Sequence, residues 1–346
     1  MTDAADQTPA MFCMGLNHRT APVAIRECFS VSKSKLVDEN AALHAMQGID
    51  ECVLLSTCNR TELYYWSTEP EVAREAICRH FLKEAAAAHS ACFYHYEAED
   101  ALAHLARVAA GLDSMVIGET EIFGQLKNAY RAAQEAGSTA FFANRTLQHI
   151  FTIGKKVRSS TRITSGPTSV GAAAVQLAQQ SLGGLEGVNV LVVGAGDVAR
   201  STAQSLTSRG ASGIFVANRS YDRAVELASQ VGGQVIRFSE WVPYLERIDI
   251  VIVSTASPVY VVSPRVLEGT QATRKGRPLF LIDLSVPRNV DPACAAIPGV
   301  HLYDIDAMEE MTVETRRARA AEIDAGETLI RGWVGENAHL LFHKNT

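Results

Sequence analysis

A multidomain α/β protein is predicted: an N-terminal α+β domain, a second domain built on a parallel sheet, and a long C-terminal helix. Three observations carry this. The turn Gly194-Ala195-Gly196 directly follows a β-branched run, further β-branched runs recur downstream, and the composition shifts after Ile163. The chain has 346 residues, enough for two or three domains of roughly 100 to 200 residues. Its 47% hydrophobic and 20% charged residues exclude a disordered chain or a charge-stabilised fibre.

The net charge of -6 excludes a chain that binds nucleic acid through overall charge, although a local basic stripe stays open. The seven cysteines are scattered and never closer than Cys52 and Cys58, so neither a disulfide framework nor a CxxC zinc site is expected, and no metal site. Asp3 and Asp6 without an apolar core exclude a signal peptide, and no apolar run approaches the ~20 residues of a membrane helix. A reducing, cytoplasmic setting without membrane contact is expected.

Taken in order, residues 1–10 read as a flexible tail and 11–160 as the first domain. From Met11 to Tyr65 an apolar start leads to a polar helix-like stretch, Ser32 to Met46, and then to the strand-like runs Cys52 to Leu55 and Leu63 to Trp66. The polar segment Ser56 to Glu62 between those runs is expected to be a loop that presents its side chains. Glu69 to Thr161 reads as helical throughout: Val72 to His89 is alanine-rich, and Leu102, Leu105, Val108 and Ala109 recur at helical spacing before Gly111. A further helix carries Ile122, Leu126, Ala129 and Ala133 on one face and stops at Gly137. Residues 161–304 form the second domain, opening with a helix-entry signal at Thr164 to Ser169. Strands are expected at Asn189 to Val193, Ile214 to Ala217, Asp249 to Ser254 and Leu279 to Asp283. Their spacing is that of βαβ units. Residues 305–346, charged and poor in glycine, read as a long helix leaving the sheet.

Gly194-Ala195-Gly196-Asp197-Val198-Ala199 follows a strand and opens a helix, the context that a GxGxx(G/A) dinucleotide fingerprint requires. Gly194 permits the turn, Gly196 lets the backbone approach a pyrophosphate, and Ala199 allows close packing, all at a helix N-terminus that favours anions. The second domain is therefore expected to be of the Rossmann type. About 20 residues on, where an acid would bind the ribose of NAD, the chain has Asn218-Arg219. A cation there suits the 2′-phosphate of NADP, with Arg219 as the contact; a solvated surface arginine is the plainer reading.

In the first domain Cys58 is the candidate nucleophile. Thr57, Asn59 and Arg60 flank it, and cationic and hydrogen-bonding neighbours favour a thiolate. A structural cysteine fits the composition equally well.

At these residues the chain resembles the glutamyl-tRNA reductase family. The likeness runs through Gly15 to Pro22, Ser56-Thr57-Cys58-Asn59-Arg60-Thr61-Glu62, His104-Leu105, Gly111 to Ser114, Gly118-Glu119, Gly124-Gln125, Gly154 to Arg158, the turn at Gly194, and Asp283 to Arg288. The resemblance implies NADPH-dependent reduction of glutamyl-tRNA(Glu) to glutamate-1-semialdehyde through a thioester, the first committed step of tetrapyrrole and haem synthesis by way of 5-aminolevulinate. It makes the N-terminal domain catalytic, Cys58 the nucleophile, and His104 a supporting acid-base residue. Thr57, Asn59, Arg60, Ser114, Glu119, Thr120, Glu121 and Gln125 are placed around the substrate, with Arg60 on its γ-carboxylate. NADPH falls to Gly194 through Ala199, Asn218 and Arg219.

The resemblance also implies glutamate-1-semialdehyde aminomutase as a partner and a homodimer through the C-terminal helix. Two departures stand out. Glu119-Thr120-Glu121 replaces a usual Glu-Pro-Gln, and the C-terminal helix is shorter than the family's, as if its dimerisation domain were truncated. Lys155, Lys156, Arg158 and Arg162 on one helix, and Arg316, Arg317 and Arg319 on another, supply basic stripes for tRNA or merely solvated faces. An NADP-dependent dehydrogenase of a free metabolite, similar to shikimate dehydrogenase, and a non-catalytic tRNA-binding paralogue are the rival readings.

Overall fold

A computed structural model describes residues 8–81, 87–165, 169–211, 213–308 and 316–343. The chain divides into two compact units, one of residues 1–166 and 316–346, the other of residues 167–315. The expected boundaries at 160/161 and 304/305 therefore each lie nearer the C-terminus, at 166/167 and 315/316, and the C-terminal segment groups with the first unit.

The first unit is organised around a four-stranded antiparallel sheet in the order β2-β3-β1-β4, from β1 (Ala10–Asn17), β2 (Glu51–Ser56), β3 (Arg60–Ser67) and β4 (Tyr94–Glu97). Because side chains alternate along a strand, each strand feeds two cores. Cys52, Leu54, Leu63 and Tyr65 face one core, with residues of α2 (Leu36–His44) and α3 (Pro70–Phe81). Val53, Leu55, Tyr64 and Trp66 face the other. There they meet α4 (Ala98–Ala110), α5 (Glu121–Glu135) and α6 (Phe141–Ser160). A short helix, α1 (Val23–Phe29), follows β1.

Several sequence expectations change here. The loop before β3 shrinks to residues 57–59, because Arg60, Thr61 and Glu62 pair with Asn17, Leu16 and Gly15. A central strand can hold polar residues when tertiary partners satisfy them, and polarity alone misplaced that boundary. The strand β4 lies inside the region expected to be helical; four residues with three aromatic rings pair on the sheet edge, too short a run to show a period. Of the helix expected over 72–89, α3 covers the residues up to Phe81, residues 82–86 lie outside the described residues, and a 3₁₀ turn covers Ala87–Cys92. The strand β1 begins at Ala10, the last position of the expected tail, and residues 1–7 lie outside the described residues.

The second unit has six parallel strands, adding β5 (Asn189–Val193), β6 (Gly213–Asn218), β7 (Gln234–Arg237), β8 (Ile250–Val253), β9 (Leu279–Asp283) and β10 (Val300–Tyr303). Their order is β10-β9-β8-β5-β6-β7, the doubly wound 3-2-1-4-5-6 arrangement, with a ligand crevice where β5 and β8 adjoin. The sequence reading lacked β7 and β10, four-residue edge strands whose exposed positions break the apolar run. In this unit α7 (Val170–Leu182) is capped by Ser169, whose side chain accepts from the Ala172 amide. The unit also holds α8 (Asp197–Ser208), α9 (Tyr221–Val231) and α10 (Pro264–Arg274).

The C-terminal α11 (Ala320–Leu341) lies within the expected Ile305 to Phe342, residues 307–308 and 316–318 are also helical, and residues 309–315 lie outside the described residues. Its stripe Ile330, Val334, Ala338 and Leu341 is buried in the α4–α6 core. An apolar stripe packed within its own chain explains why this helix belongs to the first unit, and it leaves that face unavailable to a second copy. Among the described residues no helix is long and apolar enough to cross a membrane.

Candidate active site

Strand parity positions the first half of the site. Arg60, Glu62, Tyr64 and Trp66 alternate onto one face of β3, toward α4 and its His104. Arg60 and Glu62 are 1% and 0% exposed. Arg60 Nη1 donates to Glu62 Oε1 at 2.7 Å and to Asp113 Oδ2 at 3.0 Å, while Nη2 donates to the Asp113 carbonyl at 2.6 Å. Tyr64 and Tyr94 each donate a hydroxyl to Glu62 at 2.5 Å, and His104 Nε2 lies 2.9 Å from Glu62 Oε1. Arg19 reaches Asp113 Oδ1 at 2.9 Å from the rim.

Burial alone would push both carboxyls up. The guanidinium outweighs it: Glu62 is held far below the usual carboxylate range by Arg60 and His104, and Asp113 below it by Arg60, His104 and Arg19. The donor atoms of Glu62, His104 and Asp113 lie within 4.8 Å of one another, a spacing a metal ion could use. Arg60 Nη1 bridges the two carboxylates and supplies the positive charge there instead.

The hairpin β2-loop-β3 presents Cys58. Thr57 Oγ1 accepts from the amides of Asn59 at 3.1 Å and Arg60 at 3.2 Å, and the Thr57 amide donates to the Arg60 carbonyl at 2.8 Å. Thr57 thereby fixes the loop. Arg26 on α1 donates from Nε to the Cys58 carbonyl at 3.3 Å. The expectation that flanking groups favour a thiolate is overturned for this arrangement. Burial pushes the half-buried Cys58 thiol up to about 12, Glu119 and Glu121 push the same way, and Arg26 opposes them. The sequence neighbour Arg60 is committed to Glu62 and Asp113, and the tertiary neighbours are acids from the start of α5, which no local reading of residues 57–60 could show.

Glu119 is buried, and that burial raises its carboxyl to about 7 against the opposing pull of the Ser114 hydroxyl. Its backbone carbonyl accepts from Arg158 Nη1 at 2.9 Å. Thr120 is exposed, whereas Glu121 and Gln125 are half-buried one turn apart on α5. Asn59 is buried, and its Oδ1 has no hydrogen-bond partner among the described residues. The residues placed around the thiol are thus Thr57, Asn59, Glu119 and Glu121. His104 and Arg60 instead join the Glu62–Asp113 cluster, and a substrate carboxylate on Arg60 would have to displace one of its present partners.

Removing the charge next to the thiol gives a direct check. Glu119→Gln is expected to raise the rate of Cys58 alkylation by iodoacetamide several-fold at pH 8, where Glu119 is ionised and holds the thiol protonated. An unchanged rate, read with the other six cysteines resolved by peptide mass analysis, would mean that Glu119 does not act on the sulfur.

Sequence reasoning missed Arg19, Arg26, Glu62, Tyr64, Tyr94 and Asp113 as site members. A charged residue inside a strand-like run, Glu62 before Leu63, was the available signal. It missed His18 as well, 6% exposed, whose ring nitrogens have no hydrogen-bond partner among the described residues and whose imidazole is pushed down to about 3 by burial and Arg60. That ring is neutral.

In the second unit the glycine turn fits a dinucleotide. Gly194 has φ +123°, and a Cβ there would stand 1.9 Å from the Ser254 carbonyl at the end of β8, so no other residue fits. A Cβ on Gly196 would meet open space, leaving its backbone accessible to a phosphate. Asp197 and Val198 open α8, and Ala199 is fully buried beneath it. At the end of β6, Asn218 Nδ2 donates to the Ser220 carbonyl at 3.0 Å. The exposed Arg219 donates to Ser257 Oγ at 3.1 Å and lies 5.9 Å over the Phe238 ring.

Residues 14–161 match the family described as glutamyl-tRNAGlu reductase, N-terminal domain, and residues 176–311 match shikimate/quinate 5-dehydrogenase. The chain is 53% identical over 323 residues to a glutamyl-tRNA reductase of Akkermansia muciniphila, covering 93% of this chain and 95% of the relative. A Desulforudis audaxviator glutamyl-tRNA reductase is 44% identical over 330 residues, covering 93% and 73% respectively. The solved glutamyl-tRNA reductase of Methanopyrus kandleri is 34% identical over 96% of this chain and 80% of its own, with a TM-score of 0.49. The relatives at 53% and 44% identity, each covering 93% of this chain, settle the family: the chain belongs to the glutamyl-tRNA reductases.

Proposed function

We propose that this protein reduces glutamyl-tRNA(Glu) to glutamate-1-semialdehyde and releases the tRNA, through a thioester on Cys58, as the first step of tetrapyrrole synthesis. The observation that carries the mechanism is a half-buried thiol on a fixed hairpin loop, beside a buried carboxyl whose proton affinity matches neutral pH. A thiol held near 12 is a poor nucleophile until it loses its proton. Glu119, raised to about 7, is the group suited to take that proton as the sulfur attacks the ester carbonyl. Glu119 then returns it to the departing ribose hydroxyl as the ester C–O bond breaks. The thioester forms, with no change of oxidation state.

The second unit binds a pyridine nucleotide, held by Gly194 through Ala199, and NADPH is the form that Arg219 and Asn218 suit. When bound, the reduced nicotinamide supplies the hydride that converts the thioester to the aldehyde. Cys58 leaves as the C–S bond breaks and regains a proton. In this scheme Arg60 keeps Glu62 and Asp113 ionised, and His104 is held against Glu62 to shape the pocket wall. Asn59, Ser114 and Gln125 provide polar contacts for the glutamyl group, and Thr57 fixes the loop.

All seven cysteines are unpaired, as a cytoplasmic enzyme with a reactive thiol requires. The product is a reactive aldehyde, so direct transfer to glutamate-1-semialdehyde aminomutase is the partnership its chemistry favours. The metabolite-dehydrogenase reading has no use for Cys58, and a binding module has no use for both a thiol site and a dinucleotide turn. The test is NADPH oxidation: purified protein is expected to consume NADPH with glutamyl-tRNA and not with free glutamate. Equal consumption with free glutamate would refute acyl activation by the tRNA.

A further inference from the structure

We propose that Ser257 is a positioning residue that sets the preference for a 2′-phosphorylated nucleotide: its hydroxyl holds the Arg219 guanidinium where the phosphate on the adenosine ribose arrives. This deepens the NADPH reading given above and rests on it. The strands decide the layout. β5 pairs with β6 on one side and with β8 on the other, so the turn at Gly194 lies between the ends of those two strands. Arg219 directly follows β6, and Ser257 lies in the loop that follows β8. Arg219 Nη2 donates to Ser257 Oγ at 3.1 Å. The arginine therefore reaches across the carboxyl ends of the strands, over the crevice in which a dinucleotide lies. Phe238, the residue after β7, supports it from a third strand, with its ring centroid 5.9 Å from the guanidinium carbon.

The acceptor is fixed before any ligand binds. Ser257 is 3% exposed, and its Oγ donates to the Val259 carbonyl at 2.9 Å and accepts from the Val259 amide at 3.3 Å. With its one proton committed to Val259, the oxygen can meet Arg219 only as an acceptor. Asn289, fully buried, clamps the loop: its Nδ2 donates to the Ser257 carbonyl at 2.9 Å, and its own carbonyl accepts from the Val261 and Val262 amides at 2.6 and 3.0 Å. Asp283, at the end of β9, accepts in turn from the Asn289 and Val290 amides at 2.7 and 2.8 Å. Arg219 itself is exposed and has no carboxylate partner among the described residues. The bond to Ser257 uses one of the guanidinium's donors and leaves the others, with an uncompensated charge, for an anion. A solvated arginine loses its rotamer freedom when it binds; one already held loses less, so the phosphate contact gains.

Calorimetric titration with adenosine 2′,5′-bisphosphate and with 5′-AMP isolates the 2′-phosphate and involves no RNA. The unmodified protein is expected to bind the bisphosphate about tenfold or more tightly than AMP, the scale of one charge-assisted hydrogen bond. Ser257→Ala is expected to weaken the bisphosphate about fivefold, as for one side chain that must be ordered on binding, and to leave AMP within about twofold. Retained AMP binding also reports that the loop is intact. Arg219→Ala should abolish the preference, and adding Ser257→Ala to it should change nothing further. An unchanged preference in Ser257→Ala, an equal loss for both nucleotides, or additive losses in the double variant would overturn the role of Ser257 while leaving Arg219 as the phosphate contact. Equal affinity of the unmodified protein for the two nucleotides would refute the NADPH reading itself, and a preference that survives Arg219→Ala would refute Arg219 as its reader; either result takes the role of Ser257 with it.

Discussion

Cys58→Ser is expected to lower turnover of glutamyl-tRNA by about four orders of magnitude or more, the scale on which loss of a covalent nucleophile is felt. A hydroxyl at this position is a far weaker nucleophile than a thiol, and the buried surroundings that raise the thiol to about 12 penalise an alkoxide more. The cofactor turn lies in the other unit of the chain, so NADPH binding, followed by fluorescence, should be retained. Trapping gives the complementary readout: unmodified protein mixed with glutamyl-tRNA in the absence of NADPH should carry a glutamyl adduct on Cys58 by mass spectrometry, and the variant should carry none. Turnover by Cys58→Ser within tenfold of the unmodified protein would refute the thioester.

Arg60→Ala is expected to be the most destabilising single change in the first unit. Arg60 is 1% exposed and neutralises Glu62, 0% exposed, together with Asp113. Taking away one partner of a buried ionic group leaves the others uncompensated and costs about 3–5 kcal/mol, against a total stability of about 5–15 kcal/mol for a typical domain. The pH dependence gives the sign. Glu62 and Asp113 are depressed in the folded state, so their contribution is fully present above the unfolded carboxylate values of about 4 and is lost as pH falls through the folded ones.

In Arg60→Ala the depression disappears and burial favours the protonated acids. The difference in melting temperature between the two proteins should therefore be largest above about pH 5 and shrink toward pH 3. Arg60→Ala/Glu62→Gln should recover part of the loss, because it leaves one fewer orphaned charge. A melting temperature for Arg60→Ala within a degree or two of the original would show that solvent or a side-chain shift replaces the guanidinium. The cluster would then not organise the site.

The burial of Arg60 and Glu62 also shows where the sequence stops being legible. From Ser56 to Glu62 the residues are polar, and polarity by itself says loop. In the fold β3 is flanked by β1 and β2, and residues distant in sequence, Tyr94, His104 and Asp113, make it possible to bury these charges. The thiol site follows the same rule. Glu119 lies 61 positions beyond Cys58 in the chain, yet its carboxyl, and not the adjacent arginine, acts on the sulfur.

By itself the sequence determined the two kinds of fold, the four central strands of the parallel sheet and the turn Gly194-Ala195-Gly196 between β5 and α8. Each of these rests on short-range patterns: β-branched runs, a glycine that must adopt positive φ, and motif residues adjacent in the chain. Only the tertiary structure decided that Arg60 neutralises the chain's own acids, that burial and Glu119 disfavour the Cys58 thiolate, that the C-terminal helix packs into the first unit, and that Arg158 of α6 holds the Glu119 carbonyl. The physical reason is common to all four. Charge pairing, desolvation and apolar packing depend on distance in space, and residues far apart in sequence set those distances only after the chain has folded.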